Sequence, residues 1–179
     1  MYSYAFRSVA ILSLCAATLA AQAKGPAAGK QTAPAPNPTN MLQLMRGILY
    51  PASNVIFAAQ NDDPAKVKPA KDPALATDPL ESAYGGWQAV ENASLALVEA
   101  ATLLNVPGRK CSNGVAAPIT NPDWPKFVQG LREAGLKAYK AAQSKNQDNV
   151  IDAADAMTTA CANCHDKWRE KPNLADRCK

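Results

Sequence analysis

Residues 148–170 read DNVIDAADAMTTACANCHDKWRE, the clearest helical pattern in the chain. Its apolar and ring-bearing side chains recur at steps of four, three, four, four and three residues, at Val150, Ala154, Met157, Cys161, His165 and Trp168. Such spacing places all of them on one face of an α-helix. Asn146 or Asp148 is a suitable N-cap, and Pro172 ends the helix. The sequence therefore predicts one long helix with a single buried face.

Three further helical stretches precede this one, over about residues 40–59, 79–104 and 124–143. Their apolar faces are, in the same order, Met41, Met45, Ile48, Ala52, Val55 and Ala59; Leu80, Tyr84, Trp87, Val90, Ser94, Leu97, Ala101 and Leu104; and Phe127, Leu131, Ala134, Ala138 and Ala142. The chain is 47% hydrophobic and only 6% aromatic, which favours closely packed helices over a β-sandwich. The sequence predicts an all-α protein, an antiparallel four-helix bundle.

Prolines mark the ends and one weak point of these helices. The sequence DPLE at residues 78–81 supplies an N-cap, a proline at the first helical position and an acidic residue, so it predicts the start of the second helix. Pro51 lies inside the first helix, where it removes the hydrogen bond to Gly47 and is expected to kink the helix. Residues 61–77 and 106–123 are predicted loops.

The N-terminus has the order of a secretory signal peptide. Arg7 precedes a short apolar stretch at residues 9–20, and a small-x-small cleavage site ends at Ala23. Residues 24–40 read as a Pro/Ala-rich linker, which leaves residues 41–179 as the predicted domain. We therefore expect cleavage after about Ala23 and a periplasmic protein.

Four of the five cysteines follow the predicted signal peptide, which contains Cys15. Cys161, Cys164 and His165 form the pattern Cys-x-x-Cys-His, the attachment signature of c-type haem. The two thiols bond to the porphyrin, and the adjacent imidazole of the chain's only histidine binds the iron. The sequence predicts one covalent haem c near the C-terminal end of the last helix, with His165 as proximal ligand.

Two other kinds of site use a Cys-x-x-Cys pair. A thioredoxin-like pair lies beside a parallel sheet, for which the sequence has no βαβ pattern. A structural zinc site needs four ligands, and Cys111 or Cys178 could complete one. A remaining even pair in an exported protein usually closes a disulfide. A Cys111–Cys178 disulfide is expected, with two separate thiols as the alternative.

The sixth ligand of the iron has few sources, because no methionine or second histidine follows His165. A methionine, a lysine or a vacant position remains. Met157 lies on the same helix as His165, whereas Met45 and Met41 lie on the apolar face of the first helix. Met45 is our first expectation and Met41 the second, with plain core packing as the alternative.

The closing run CANCHDKWR at residues 161–169, with the signal peptide and four helices, resembles the class II c-type cytochromes, the cytochrome c′ family. The resemblance covers about residues 40–171 and implies an antiparallel four-helix bundle with one covalent haem. Low-spin members take a methionine from the first helix as sixth ligand, and residues 45–48, MRGI, are similar to that segment. High-spin members leave the iron five-coordinate and bind small gases. Homodimers are usual in the family.

This chain departs from the family pattern in four ways. Pro51 interrupts the first helix, and Met41 stands where a basic residue is usual. The loop after the first helix is long, and Cys111 and Cys178 are additional. These departures indicate a divergent member whose partners differ.

The residues around the motif have two interpretations each. Arg169 either pairs with a haem propionate or is a solvated cation at the helix end. Trp168 and Trp87 either form the wall of the haem pocket or belong to the core. Basic residues cluster near the predicted haem edge and favour either an acidic redox partner or a solvated surface: Lys167, Arg169, Lys171, Arg177 and Lys179.

Together these features favour a periplasmic monohaem cytochrome that transfers single electrons to and from an unidentified partner protein. The alternatives are a five-coordinate haem protein that binds NO or CO, and a haem-free helical binding module held by disulfides. An enzyme is not expected, because the only histidine is used on the proximal side. The net charge of +4 does not indicate nucleic-acid binding, and no apolar run after the signal peptide is long enough to span a membrane.

Overall fold

In the computed structural model, residues 37–179 are described, and this part of the chain is all-helical without a β-strand. Helix α1 runs through Met41–Leu44, the π-helical segment Met45–Leu49 and Tyr50–Asn61. Helix α2 is Gly86–Leu103, α3 is Trp124–Ser144 and α4 is Gln147–Trp168. Short 3-10 helices occupy Pro64–Lys66, Pro73–Leu75 and Leu174–Asp176. The predicted signal peptide and residues 24–36 of the predicted linker lie outside the described residues.

The four helices pack in a closed cycle, α1 on α2, α2 on α3, α3 on α4 and α4 on α1. This arrangement is compatible with a helical bundle. Among residues 37–179, no helix is both long and apolar enough to cross a membrane.

Helix α4 follows the sequence prediction closely. Its N-cap is Asn146, whose side-chain oxygen accepts a hydrogen bond from the backbone N–H of Asn149 at 3.1 Å. On the predicted face, Val150, Ala154 and Met157 are completely buried. The helix therefore contributes to the core over its first half and reaches the candidate site with its second half.

Helix α1 accommodates Pro51 through its π-helical segment. The backbone N–H of Tyr50 bonds to the carbonyl of Met45, five residues earlier. A π turn contains an extra residue and relieves the clash between a proline ring and the carbonyl four residues before it. The extra residue also rotates the helix surface, so the prediction of Ile48 in the buried face is wrong. Ile48 is 37% exposed, and Leu49 is buried in its place.

Helix α2 begins at Gly86, and the prediction of a start at residue 79 is wrong. Gly85 and Gly86 have φ of +72° and +46°, a left-handed conformation that interrupts a helix. Asp78 still accepts a hydrogen bond from the N–H of Leu80 at 2.8 Å, but this bond closes a turn. Leu80 is fully buried as predicted, whereas Tyr84 is 56% exposed.

Small residues allow α2 and α3 to approach each other closely. A Cβ atom on Gly135 of α3 would lie 2.9 Å from Cγ2 of Val98 and 3.3 Å from the carbonyl oxygen of Ser94, both on α2. Gly130, one and a half turns earlier, has no such neighbour within 4 Å. The two glycines therefore have different roles in the same helix.

We expect Gly130→Ala to stabilise the protein and Gly135→Ala to destabilise it. Alanine lowers the cost of helix formation by about 0.8–1.0 kcal/mol at either position. At Gly135 the added methyl group meets a β-branched side chain that has one preferred rotamer in a helix, and overpacking of this kind costs about 1–3 kcal/mol. Urea unfolding of the two variants tests this pair, and a stabilised Gly135→Ala protein would contradict the close approach.

Candidate functional site

A cavity of about 970 Å³ lies among the four helices. Its wall is mainly apolar and includes Leu42, Leu49, Phe57, Leu97, Phe127, Val128 and Leu131. Cofactor sites in proteins are typically apolar cavities of about 300–1,000 Å³ with a few polar groups that fix orientation. The volume of this cavity is at the upper end of that range, so the cavity can hold a large cofactor.

Cys161, Cys164 and His165 all line this cavity. Their spacing places them on one side of α4, since residues three and four apart are neighbours on a helix surface. Each of the three side chains is half-buried. The fold therefore presents both thiols and the imidazole to the same apolar space.

Burial in the cavity wall shifts the pKa of each of these three side chains. Burial raises the pKa of the Cys164 thiol to about 11, and it also raises the pKa of the Cys161 thiol, which Arg169 partly opposes. Burial and the charge of Arg169 lower the pKa of His165. At neutral pH the cysteines are thus neutral thiols, and the imidazole is neutral with a free lone pair, the form that binds metals.

These properties distinguish the pair from a thioredoxin-like redox site. Reactive Cys-x-x-Cys pairs have lowered thiol pKa values, and helix N-termini favour the thiolate. Cys161 and Cys164 instead lie near the C-terminal end of a 22-residue helix and have raised pKa values. Burial therefore disfavours the thiolate that such chemistry requires.

Cys111 and Cys178 bond to each other as a disulfide, with their Cα atoms 6.5 Å apart. The bond joins the loop after α2 to the C-terminal tail. Because both sulfur atoms are used, neither cysteine can complete a zinc site with Cys161 and Cys164.

Met45 and Met41 occupy different environments on α1. Met45 lines the cavity and is partly buried, whereas Met41 is buried in the core and is not part of the cavity wall. Met157 is completely buried. Among the described residues, no lysine lines this cavity. Of the candidates for a sixth ligand, Met45 is thus the side chain that shares the cavity with His165.

The aromatic wall differs from the sequence expectation. Trp124, the first residue of α3, lines the cavity, while Trp168 and Trp87 do not. Trp168 packs behind the wall against Trp124, with ring centroids 6.1 Å apart and planes tilted by 60°. Trp124 continues the apolar face of α3 at the spacing i, i+4, i+7 with Val128 and Leu131, so its place on this face is visible in the sequence.

Three arginines, Arg46, Arg169 and Arg177, line the cavity. Arg169 forms an ion pair with Glu170, which also lines the cavity and whose pKa that pair lowers. The side chains of Arg46 and Arg169 are exposed to solvent, whereas Arg177 is partly buried. The sequence pattern predicts Arg169 at the site and Arg177 in the basic cluster near the haem edge, but it does not indicate Arg46, because cavity walls depend on tertiary packing.

The basic residues near the end of α4 are largely paired. Lys167 forms an ion pair with Asp123, and Lys126 pairs with the same carboxylate, so the pKa of Asp123 falls to about 2. Lys179 pairs with Asp176 at 3.4 Å. This pairing favours the solvated-surface interpretation over a positive patch for an acidic partner.

A search of protein-family models, of curated proteins and of solved structures finds no match to this chain.

The cavity residues fit a haem group. Two thiols and a neutral imidazole face one apolar space, and thioether and guanidinium groups lie on its wall. The guanidinium groups of Arg46, Arg169 and Arg177 on the wall suit the carboxylates of such a group, because a planar guanidinium donates two parallel hydrogen bonds to a carboxylate.

Proposed function

We propose that this chain is a periplasmic monohaem c-type cytochrome that transfers single electrons, and that its four helices form an antiparallel bundle. The observation that carries the proposal is the presence of Cys161, Cys164 and His165 of the Cys-x-x-Cys-His motif in the wall of one cavity. When bound, the haem supplies an iron that exchanges one electron between its ferric and ferrous forms.

The chain's own residues would hold and orient this group. Cys161 and Cys164 would bond to the porphyrin as thioethers, and the neutral imidazole of His165 would bind the iron. The apolar wall from α1, α2 and α3 excludes water, which limits reorganisation around the charge change. Arg169 lies near Cys161 and His165, and its ion pair with Glu170 offsets part of its charge at the site.

Met45 is the proposed sixth ligand. It lines the same cavity from α1, and a thioether raises the potential of a haem iron relative to other ligands. The π-helical segment begins at Met45, and such segments are frequent at functional sites.

Export is part of the proposal. The N-terminal signal pattern and the Cys111–Cys178 disulfide both suit an oxidising compartment outside the cytoplasm.

The visible spectrum of the exported protein, expressed with haem-maturation machinery, tests the proposed function. A low-spin spectrum that carbon monoxide does not change supports electron transfer through a six-coordinate iron. A high-spin spectrum that shifts with carbon monoxide would instead indicate a gas-binding haem protein. Absence of covalent haem would contradict both and leave the haem-free binding module.

Met45→Leu is expected to convert a low-spin spectrum to a high-spin one. The substitution conserves volume and removes the sulfur, so the fold remains and the ligand is lost. Met41→Leu is the matched control, because Met41 lies on the same helix outside the cavity wall. Visible spectra of both variants, with and without carbon monoxide, give the answer. An unchanged spectrum of Met45→Leu would exclude Met45 as ligand.

A further inference from the structure

The C-terminal tail after α4 folds back and is fixed at several points. The N–H of Cys178 donates to the carbonyl of Trp168 at 2.8 Å, and the disulfide joins Cys178 to Cys111. The side-chain amide of Asn113 donates to the carbonyls of Leu174 and Arg177 at 3.0 and 3.1 Å. The tail is thus held against the loop after α2.

This fixed tail places Arg177 in the cavity wall. The residue directly after it carries the disulfide, and its own carbonyl is bound by Asn113. The Nε atom of Arg177 is fully enclosed and has no hydrogen-bond partner among the described residues. The backbone is therefore fixed at the carbonyl of Arg177 and again at the next residue, Cys178. The guanidinium group of Arg177 is held in the cavity wall as a result.

The Nε atom of Arg177 is covered by the protein itself, whereas the side chain as a whole is only partly buried, so a group in the cavity would meet the rest of the guanidinium. Glu170 is the carboxylate that also lines the cavity, and its carboxylate is hydrogen-bonded to Arg169. The charge of Arg177 helps to lower the pKa of Glu170, but among the described residues no carboxylate lies within ion-pair distance of Arg177. The guanidinium group is therefore available to an anion bound in the cavity. Of the three arginines in the cavity wall, Arg46 and Arg169 are exposed, whereas Arg177 is partly buried and belongs to the disulfide-bound tail.

We propose that Arg177, held by the Cys111–Cys178 disulfide, is the anchor for a carboxylate of the cofactor bound in the cavity. The inference rests on the proposed function, since the carboxylate would be a haem propionate. A planar guanidinium suits a carboxylate better than an ammonium group does, because two N–H groups reach both oxygens. The disulfide does not touch the bound group in this proposal; it holds the tail so that Arg177 stays in the cavity wall.

The test uses the exported full chain with Cys161→Ser and Cys164→Ser, which binds porphyrin without covalent attachment. Tryptophan-fluorescence quenching measures its affinity for protoporphyrin IX and for the dimethyl ester, which has no carboxylate. Arg177→Gln is expected to weaken binding of the free acid at least about tenfold, the value of one charge-assisted hydrogen bond, and to leave the ester unaffected. Lys179→Gln, two residues away, is the matched control and should change neither affinity.

The disulfide is tested in the same assay. Adding Cys111→Ser and Cys178→Ser should weaken binding of the free acid as Arg177→Gln does, and the combined variant should lose no more than either alone. Arg177→Lys should restore part of the affinity. Equal losses for acid and ester, or additive losses, would overturn the anchor.

A second measurement uses the haem-loaded protein. Arg177→Gln should lower the reduction potential, since a cation in the cavity wall favours the reduced iron, while Lys179→Gln leaves it unchanged. An unchanged potential together with unchanged porphyrin affinity would refute the role of Arg177. If the parent chain binds neither porphyrin nor covalent haem, the proposed function fails, and the inference fails with it.

Discussion

Cys161→Ser combined with Cys164→Ser is expected to abolish covalent haem completely in the exported protein. Each thioether requires a thiol, and these two are the only free cysteines in residues 37–179, because Cys111 and Cys178 form a disulfide. Mass spectrometry under denaturing conditions should show the mass of one haem on the parent chain and none on the double variant. Haem staining of a denaturing gel gives an independent readout.

The control for this loss is Cys111→Ser with Cys178→Ser, which should retain the covalent haem mass. Single variants at Cys161 or Cys164 should each retain one attachment. Covalent haem that persists in the double variant at the motif would contradict the assignment of these cysteines, whatever the spectrum shows.

Loss of the Cys111–Cys178 disulfide is expected to lower the free energy of unfolding by about 4 kcal/mol. The bond joins residues separated by 67 positions, and closing a loop of that length restricts the unfolded chain by about this amount. Cys111 is only 4% exposed, so its replacement by serine also places a hydroxyl group in the core. Urea unfolding of the Cys111→Ser, Cys178→Ser protein against its parent measures the difference.

The reference for this measurement is the parent protein unfolded with and without a reducing agent. Reduction should shift the transition of the parent to that of the variant and leave the variant unchanged. A difference below about 1 kcal/mol would mean that the unfolded chain is not restricted by the bond.

Helix α4 could be predicted from sequence because its own residues determine it. An asparagine N-cap, a regular apolar face and a proline beyond its end all act within the helix or one turn from it. The position of Cys161 and His165 on one side follows from helical spacing alone. Helix α3 was predicted within a residue at each end for the same reason.

Helices α1 and α2 show where local reasoning fails. The π-helical segment before Pro51 shifts the helix surface, and a spacing rule that assumes regular turns then assigns Ile48 inward in place of Leu49. The start of α2 depends on contacts far along the chain. A Cβ on Gly86 would lie 2.2 Å from the carbonyl oxygen of Pro64, an approach that no local signal reveals.

The residues of the candidate site also fall into those that the sequence predicts and those that only the fold reveals. The motif identified Cys161, Cys164 and His165, because attachment chemistry fixes their spacing. Trp124, Arg46 and Arg177 reach the cavity through packing between helices and through the disulfide-bound tail. Their positions in the cavity wall follow from the three-dimensional arrangement, which the spacing of residues along the chain does not reveal.

Both ends of the described domain attach to one loop, and this has a mechanical consequence. Arg109 bonds to the carbonyl oxygen of Thr39 at 2.9 Å, and the N–H of Met41 bonds to the carbonyl of Lys110 at 2.8 Å. Cys111, the residue after Lys110 in the same loop, is covalently joined to Cys178 near the C-terminus. A pulling force between the two ends would therefore pass through this loop and its hydrogen bonds first. The helices that enclose the cavity would lie outside the load path until those bonds rupture.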